Sequence, residues 1–255
     1  MKYLIILIYT QVVLSLTPGS LETTKEVYLS SDSFNQFVGR LYLDGGTCTG
    51  TYLSETVMIT SRHCINGIDG RKLPNRQNIM LRGQIAPNDF QDISAISGAY
   101  PLPGGHDMAL VVVYPPLETH GIPFPKVASM KRKFVKDNDK GIMLSGYPGS
   151  KRGELHTGCS EGYNMPKDHA TVIRYDVNTE KGMSGSALRL CDDENLIIGV
   201  HNWGTTWGNS GLLFSNDDVH FIKNFIEAEE QHQLNNLDYL KAGPNEILQG
   251  ECLLE

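Results

Sequence analysis

Short runs of apolar and β-branched residues alternate with clusters of Gly, Pro, Asn and Asp along most of the chain. This pattern, with little helical periodicity, is typical of an all-β sandwich or barrel. The strand-like runs are 37–43, 50–61, 79–82 and 108–114, then 142–145, 171–177, 186–190, 196–200 and 211–214. Turn clusters lie at 44–46, 66–67, 69–70 and 101–105. Residues 115–125, with the basic run after them, are predicted to connect two β-rich halves.

One helix is predicted after the last strand. Ser215 and Asp218 have the S-x-x-D spacing of a capping box. The apolar residues that follow fall on one helical face, and they are Val219, Ile222, Phe225 and Ile226. The helix is predicted over residues 215–233, and the polar segment 234–255 is predicted to be a tail.

The N-terminus carries an almost unbroken apolar run from residue 3 to residue 16. One charge before the run, at Lys2, and small residues after it describe a secretory signal peptide. The alternative is a membrane anchor, but the run is shorter than the ~20 residues that cross a bilayer. A signal peptide is therefore predicted over residues 1–20, with cleavage after Ser15 or near Ser20. The protein is expected to be secreted, without stable membrane association, and residues 21–35 are either a propeptide or an N-terminal arm.

Composition and charge exclude some classes of function. Of 255 residues, 40% are hydrophobic and 20% charged, which excludes disorder, and no sustained heptad supports a coiled coil. The formal net charge of −7 argues against nucleic acid or anionic membranes as partners, because these usually require a basic face. The basic run at 131–136 precedes Asp137 and Asp139 and is better explained as a solvated loop. Composition alone does not distinguish an enzyme from a binding module.

Secretion makes the cysteines candidates for disulfides. Because there are five, at least one is free, intermolecular or lost by processing. They are Cys48, Cys64, Cys159, Cys191 and Cys252. His156, Cys159 and His169 could begin a metal site, but no second closely spaced ligand pair completes it. No metal or other cofactor is expected.

Three stretches carry the residue types of nucleophilic acyl transfer, and they are Ser61-Arg62-His63-Cys64, Gly105-His106-Asp107-Met108 and Gly182-Met183-Ser184-Gly185-Ser186. A serine hydroxyl becomes a nucleophile when an imidazole accepts its proton, and a carboxylate holds that imidazole in the right tautomer. Glycines allow backbone amides to face the developing oxyanion. The order His, Asp, Ser differs from the Ser, Asp, His order of α/β-hydrolases, which also require G-x-S-x-G where this chain has Ser186.

Together these motifs resemble those of the chymotrypsin-like serine proteases, and most closely their glutamyl endopeptidase branch. Asp107 in His-Asp-Met-Ala-Leu-Val matches the strand entry of that family, and G-M-S-G-S matches a variant of its nucleophile loop. Gly146-Tyr147-Pro148-Gly149 matches a stretch common in the glutamyl branch, and Gly211-Leu212-Leu213-Phe214 leads into the terminal helix. The resemblance covers residues 37–229.

The resemblance implies two six-stranded antiparallel β-barrels of the chymotrypsin type, at 36–126 and 127–214, with a C-terminal helix and an active site between the barrels. His63 would be the general base and acid, Asp107 its orienting carboxylate and Ser184 the nucleophile. The amides of Gly182 and Ser184 would form the oxyanion hole. The implied function is a secreted serine endopeptidase that acts through an acyl-enzyme on protein or peptide substrates, and a monomer is expected.

The resemblance also implies a disulfide between Cys48 and Cys64, beside the catalytic histidine. Cys159 and Cys191 are then candidates for a second bridge, since Cys191 follows the nucleophile on the same barrel. The sequence does not determine that pairing. Cys252, in the polar tail, would be the cysteine left over.

The resemblance places a specificity pocket around Thr179, His201 and Gly204. Asn178 stands where trypsin-type enzymes have an acidic residue, so a preference for Lys or Arg is disfavoured. Thr179 and His201 match the hydroxyl and histidine that glutamyl endopeptidases direct at a substrate carboxylate, so cleavage after Glu is expected. A satisfied core histidine is the alternative for His201.

Several features depart from the family pattern. His201-Asn202-Trp203-Gly204 differs from the usual His-x-Gly-Gly, and the net charge of −7 repels acidic substrates at long range. Met183 replaces the aspartate that binds a newly cut N-terminus in trypsin-type zymogens. The competing hypothesis is a catalytically silent homologue acting as a secreted binding module, and a structural or wall-associated role is a third. The presence of His63, Asp107, Ser184 and Gly182 favours the enzyme.

Overall fold

The computed structural model describes residues 24–27, 33–43, 46–65, 79–82, 84–86, 89–90, 93–130, 141–151, 153–160, 163–166, 171–205 and 208–231. The described strands are β1 Thr24–Val27, β2 Val38–Leu43, β3 Gly46–Tyr52, β4 Val57–Thr60, β5 Ile79–Arg82, β6 Gln84–Ala86, β7 Asp89–Phe90, β8 Ile93–Pro101, β9 Ala109–Tyr114, β10 Lys126–Val127, β11 Ile142–Gly146, β12 Leu155–Ser160, β13 Tyr163–Asn164, β14 Val172–Tyr175, β15 Ala187–Leu190, β16 Asp193–Thr205 and β17 Gly208–Leu213. Helix α1 spans Asn216–Glu230. The predicted signal peptide, the basic run at 131–136 and the predicted tail lie outside the described residues.

Six strands of the first half close into a barrel in the order β2-β3-β4-β9-β8-β5. All of its neighbouring pairs run antiparallel. Buried apolar side chains fill it, and they include Phe37, Leu41, Tyr52, Met58, Ile96, Val111 and Val113. The first predicted barrel is therefore confirmed.

The run 50–61 was expected to be one strand, but it forms two, β3 and β4. Residues 53–56 turn the chain between them. The N–H of Leu53 donates to the carbonyl of Val57, and the N–H of Val57 donates to Ser54 Oγ. The Ser54 side chain thus stabilises a tight turn between the two strands. The sequence did not predict this turn, because the whole run is rich in apolar and β-branched residues.

The second half forms one nine-stranded sheet in the order β1-β12-β11-β15-β16-β17-β14-β13, and β10 pairs in parallel with β16. Hydrogen bonds do not close this sheet within the described residues. Its core includes Ile142, Leu144, Ile173, Met183, Leu188 and Ile198. With the closed barrel and the terminal helix, this sheet gives the two-part β architecture expected from the sequence.

Strand β1 comes from the segment for which a propeptide and an N-terminal arm were both open. It pairs antiparallel with β12, from Thr24 opposite Gly158 to Val27 opposite Leu155. A little further along the chain, the buried Phe34 packs under the guanidinium of Arg189, 3.5 Å from the ring centroid. The N-terminal segment is therefore an edge of the second sheet in this structure.

Helix α1 begins at the predicted capping box. Asp218 N–H donates to Ser215 Oγ at 3.1 Å, and Ser215 N–H donates to the Asp218 carboxylate at 2.8 Å. The helix ends at Glu230, and Gln231 is its C-cap, so the last two predicted residues lie outside the described part. Among the described residues, no helix has both the length and the apolar character needed to cross a membrane.

The apolar face of α1 packs on the first barrel. The rings of Phe225 and Tyr100 lie 4.9 Å apart, and the hydroxyl of Tyr114 donates to Glu229 at 2.6 Å. Residues of both halves and of the helix share one buried cluster, which includes Leu110, Val112, Leu155, Val200, Phe214 and Ile222. This shared core fixes the two halves against each other and leaves the predicted catalytic residues along their junction.

Candidate active site

The predicted histidine and aspartate meet at one end of the first barrel. His63 lies in a 3₁₀ turn, Arg62–Ile65, directly after β4, and Asp107 lies just before β9. Because β4 and β9 are paired, with Thr60 opposite Ala109, the two residues come together. One carboxylate oxygen of Asp107 is 2.8 Å from His63 Nδ1, and the other accepts the His63 backbone N–H at 2.8 Å. This two-point contact orients the ring with Nδ1–H toward Asp107, so that Nε2 is free to accept a proton.

The Asp107 side chain is ionised at neutral pH. Burial raises its pKa, but hydrogen bonds from the His63 ring and amide, the His63 charge and a hydrogen bond from Asn202 together lower the pKa below the usual 3.8. The His63 side chain is 38% exposed and that of Asp107 is 19% exposed. A substrate can therefore reach the imidazole while the carboxylate behind it stays sheltered.

Ser184 lies on the nucleophile loop, defined here as residues 180–186, which precedes β15. Its carbonyl oxygen accepts the Thr49 N–H at 2.8 Å and lies 3.8 Å from the sulfur of Cys64, the neighbour of His63. The loop therefore abuts the turn that carries the histidine. Within the described residues no hydrogen bond joins Ser184 Oγ to His63, a contact that is often long in enzymes without substrate.

The nucleophile loop leaves the two predicted oxyanion amides unused. Within the described part of the chain, the N–H groups of Gly182 and Ser184 donate to no other protein group. Their neighbours are satisfied internally, since Met183, Gly185 and Ser186 donate to the carbonyls of Glu180, His201 and Met183 at 3.0, 2.8 and 3.0 Å. The two unused N–H groups lie on either side of Met183, and two such groups beside a serine can bind an oxyanion.

The backbone conformation of the loop also orients the N–H groups of Gly182 and Ser184. The Lys181 carbonyl accepts the Gly149 N–H at 2.6 Å, so the N–H of Gly182, on the other side of the same trans peptide, points away from Gly149. Gly182 and Gly185 have φ values of 101° and 92°, which only glycine adopts without strain. A Cβ on Gly185 would lie 2.1 Å from the Thr49 carbonyl oxygen. The two glycines therefore allow the loop to lie directly on β3.

Both expected disulfides are present. Cys48–Cys64 joins β3 to the histidine turn with a Cα–Cα distance of 6.1 Å, and Cys159–Cys191 joins β12 to the end of β15 with 5.9 Å. Cys252 lies outside the described residues. The first bridge supports the turn that carries His63.

The disulfides also bear on metal binding. Cys159 is no longer a thiolate ligand for the site considered with His156, and His169 lies outside the described residues. Potential ligand atoms of Cys48, Cys64 and His63 lie within 4.8 Å of one another. Both sulfurs form the disulfide, however, and the Nδ1 of His63 faces Asp107.

Two of the expected pocket residues, Thr179 and Gly204, lie close together in the second half. A Cβ on Gly204 would lie 4.0 Å from Thr179 Oγ1 and 3.0 Å from Asn209 Oδ1. The Thr179 hydroxyl donates to Asn209 Oδ1 at 2.6 Å, and the Asn209 amide donates to the Val177 carbonyl. Asn178, next to Thr179 in the chain, is buried. The polar groups at this place are neutral.

His201 is also neutral at physiological pH. Burial, together with the nearby His63 charge, lowers its pKa to about 3, although a hydrogen bond to the Ser210 backbone opposes the shift. The Tyr175 hydroxyl lies 2.5 Å from His201 Nδ1, and burial raises the pKa of Tyr175 well above its usual value, so that this hydroxyl stays protonated and donates. Only 2% of His201 is exposed. Its Nδ1 is satisfied inside the protein, as the core-histidine interpretation expects.

Two residues outside the sequence-predicted site connect the halves beside the triad. Asn202 on β16 donates through Nδ2 to the Asp107 carbonyl and to Ser61 Oγ, the latter at 3.1 Å. The Ser61 hydroxyl in turn donates to the His201 carbonyl at 2.9 Å. The sequence marked Asn202 only as a departure from the His-x-Gly-Gly form.

A third such residue, Thr49, contacts the nucleophile loop through its backbone and its side chain. The only feature of the sequence that points to Thr49 as a functional residue is its position next to Cys48.

The architecture, with a closed antiparallel barrel, a second antiparallel sheet and a C-terminal helix, is that of the chymotrypsin-like proteases. Residues 48–200, more than half of the chain, match the model of the trypsin-like peptidase domain, and the chain belongs to this family. No sequence among curated proteins matches the chain.

Solved structures support the same fold. A Glu endopeptidase in complex with MPD aligns with a TM-score of 0.61 and 19% identity, over 81% of this chain and 97% of that chain. The scabies mite inactivated protease paralogue S-I1 aligns with a TM-score of 0.63 and 15% identity, over 80% and 98%. Paralogue S-D1 from the same mite gives 0.60 and 12%, over 83% and 97%. These similarities confirm the fold expected from the sequence.

Proposed function

We propose that the protein is a secreted, monomeric serine endopeptidase with Ser184 as nucleophile, His63 as general base and acid, and Asp107 as the carboxylate that orients His63. One observation carries the proposal. Asp107 holds His63 at two points, the imidazole Nδ1 and the backbone N–H, and His63 lies beside a loop on which Gly182 and Ser184 present unused amides. An oriented base and a preformed oxyanion site are the two components that a serine hydroxyl needs for acyl transfer.

The reaction follows from this arrangement. Ser184 Oγ attacks the carbonyl carbon of the scissile bond while His63 Nε2 accepts the hydroxyl proton. The negative charge that develops on the carbonyl oxygen is stabilised by the N–H groups of Gly182 and Ser184. Collapse of the intermediate breaks the C–N bond, and His63 gives its proton to the leaving amine. Water, deprotonated by His63, then attacks the acyl-enzyme and releases the acid and the free serine.

For the residue before the cut, Glu is our proposal. The Thr179 hydroxyl and the Asn209 amide supply neutral polar groups beside Gly204, and the imidazole of His201, three residues before Gly204 on β16, is neutral as well. Because the imidazole is uncharged, a carboxylate would be held by hydrogen bonds without an ion pair, and the preference for Glu over Gln is expected to be modest.

The proposal is tested with Ser184→Ala and a peptide library. A fluorophosphonate should label the wild-type protein and leave the variant unlabelled, and the variant should lose at least about 10⁴-fold in kcat. Full peptidase activity in Ser184→Ala would exclude the proposed nucleophile. A cleavage profile dominated by Lys, Arg or bulky apolar residues would exclude the proposed pocket, and unchanged Glu preference in His201→Ala would exclude a role for His201.

The extracellular location is part of the proposal. It is supported by the two disulfides, which persist in oxidising compartments, and N-terminal sequencing of secreted protein tests it. A silent homologue is the second candidate, because no hydrogen bond joins Ser184 to His63 among the described residues. Folded wild-type protein that resists the fluorophosphonate would favour this candidate.

A further inference from the structure

We propose that Thr49, on the first barrel, is a positioning residue that holds the nucleophile loop in the conformation that forms the oxyanion hole. The inference rests on the proposed peptidase function, because it assigns a role toward the same two amides. Thr49 is fully buried on β3, directly after Cys48. It comes from the half of the molecule that does not carry the nucleophile.

Four hydrogen bonds meet at Thr49. Its hydroxyl donates to the Gly182 carbonyl at 2.8 Å and accepts the Tyr147 N–H at 3.0 Å. Its backbone N–H donates to the Ser184 carbonyl at 2.8 Å, and its carbonyl accepts the Thr60 hydroxyl at 2.7 Å. The hydroxyl is therefore held in a defined orientation, because it donates one hydrogen bond and accepts another.

These bonds act on alternate peptide planes of the loop. Thr49 fixes the plane after Gly182 through its hydroxyl and the plane after Ser184 through its N–H. The plane between them, whose N–H belongs to Ser184, is held by Ser186, which bonds the Met183 carbonyl through its hydroxyl at 2.7 Å. A peptide plane is rigid, so fixing its carbonyl fixes the opposite N–H as well. The plane after Gly182 joins the two planes that carry the oxyanion amides, so an anchor on its carbonyl helps to hold the backbone on both sides in place.

No ionised group takes part in these contacts. Met183, which replaces the zymogen aspartate, is fully buried among apolar residues of the second sheet that include Val177, Leu188 and Ile198. The start of the loop makes one contact of a different kind, since the Glu180 carboxylate accepts hydrogen bonds from Ser150. The described contacts of residues 182–186 are hydrogen bonds between neutral groups and apolar burial. The Thr49 hydroxyl thus supplies, from the first barrel, an anchor for the loop that needs no charged N-terminus.

The test uses Thr49→Val, which keeps the branched shape and removes the hydroxyl. Both the Gly182 carbonyl and the Tyr147 N–H then lose their hydrogen bond to the Thr49 hydroxyl. We expect kcat to fall roughly 10- to 100-fold with KM nearly unchanged, since misaligned amides weaken transition-state binding more than substrate binding. The fluorophosphonate labelling rate should fall in parallel. Thr49→Ser keeps the hydroxyl and should restore kcat to within about threefold of wild type.

Thr51→Val is the matched control. Thr51 lies two residues further along the same strand, is also fully buried, and its hydroxyl has no hydrogen-bond partner in the described part of the chain. Replacing the Thr51 hydroxyl by a methyl group should leave kcat, KM and the rate of fluorophosphonate labelling unchanged. It thereby separates loss of the Thr49 contacts from the general effect of replacing a buried threonine.

Amide hydrogen exchange of residues 180–186 supplies a readout that does not need activity. Thr49→Val should exchange faster in this loop, while strands far from it stay as in wild type and in Thr51→Val. Wild-type kcat and wild-type loop exchange in Thr49→Val would overturn the proposal, as would faster exchange spread evenly over the molecule. If the wild-type protein neither cleaves nor labels, the proposed function fails, and loop exchange alone still decides whether Thr49 holds the loop.

Discussion

At the scale of single residues, the Asn202 side chain forms hydrogen bonds that join the two halves of the molecule. Its Nδ2 bonds Asp107 and Ser61 in the first half, and its Oδ1 accepts the Leu212 N–H of the second half at 3.2 Å. Only 3% of the residue is exposed. Its side chain therefore connects the backbone of Asp107, the proposed catalytic aspartate, to the opposite sheet.

We predict that Asn202→Ala lowers both stability and activity. The Leu212 N–H and the Asp107 carbonyl lose their partner in a buried site, at about 1–3 kcal/mol for each unsatisfied group. The hydrogen bond that helps to lower the pKa of Asp107 is lost too, so kcat should fall by about tenfold. Urea unfolding and peptidase kinetics measure the two effects. Asn164→Ala, at an exposed position of β13, is the control, and an unfolding free energy equal to wild type in Asn202→Ala would contradict the prediction.

The sequence predicts His63, Asp107 and Ser184 as the catalytic residues because each lies in a short local motif and their order is distinctive. It does not identify Asn202 or Thr49, since their importance comes from partners more distant in the chain and on the opposite half. Nor does it reveal the neutral state of His201, which burial and the nearby His63 charge impose. Motif spacing predicts the reacting groups, while the groups that orient them follow only from tertiary packing.

At the scale of elements, helix α1 depends on its first turn. The reciprocal contacts of Ser215 and Asp218 satisfy two backbone N–H groups where no helical partner exists. The same helix packs Phe225 on Tyr100 of the first barrel. A frayed start of α1 would therefore also loosen the core that the helix shares with the barrel.

Ser215→Ala is predicted to lower the free energy of unfolding by about 1 kcal/mol, because the N-cap acceptor is lost. Denaturant unfolding at neutral pH measures the change. Ser215→Asn, which retains an oxygen acceptor at the cap, should stay close to wild type. Equal stability of the alanine variant and wild type would show that water replaces the cap without cost.

Strands with a strong apolar signal are predicted well, and polar strands are not. The runs at 79–82, 142–145 and 186–190 correspond to β5, β11 and β15. The missed strands include β1 and β12, whose sequences TKEV and LHTGCS are mostly polar. β1 is an edge strand paired on one side, which needs little apolar character. Its pairing is decided by the neighbouring strand and leaves no local pattern to detect.

At the scale of the whole molecule, His201 couples stability to pH. Its pKa of about 3 in the folded protein is far below the 6.5 of an unperturbed histidine. The unfolded chain therefore binds a proton first as pH falls, so the contribution is complete above pH 6.5 and is lost progressively toward pH 3. Protonation in the folded state would place a charge in a buried site.

We predict that the unfolding free energy falls by a few kcal/mol between about pH 6.5 and pH 4.5, because each unit of pKa difference corresponds to about 1.4 kcal/mol. Urea titrations across this range measure the slope. His201→Gln should be less stable at pH 7 and have a flatter slope, while His220→Gln, at an exposed position of α1, should keep the wild-type slope. An unchanged slope in His201→Gln would assign the pH dependence to other groups.

The first described strand, β1, belongs to the second sheet, and the last described element, α1, packs on the first barrel. Strand β1 lies on the edge of the second sheet through Val27 and Leu155, while helix α1 covers the first barrel through Phe225 and Glu229. During synthesis on the ribosome, β1 must therefore wait for β12 to emerge, and the first barrel must wait for the helix that covers it. The barrel leaves the exit tunnel first, yet it remains unfinished until translation has passed Glu230. Each half is therefore completed by an element from the far end of the described chain, and their junction forms only after the helix has been synthesised.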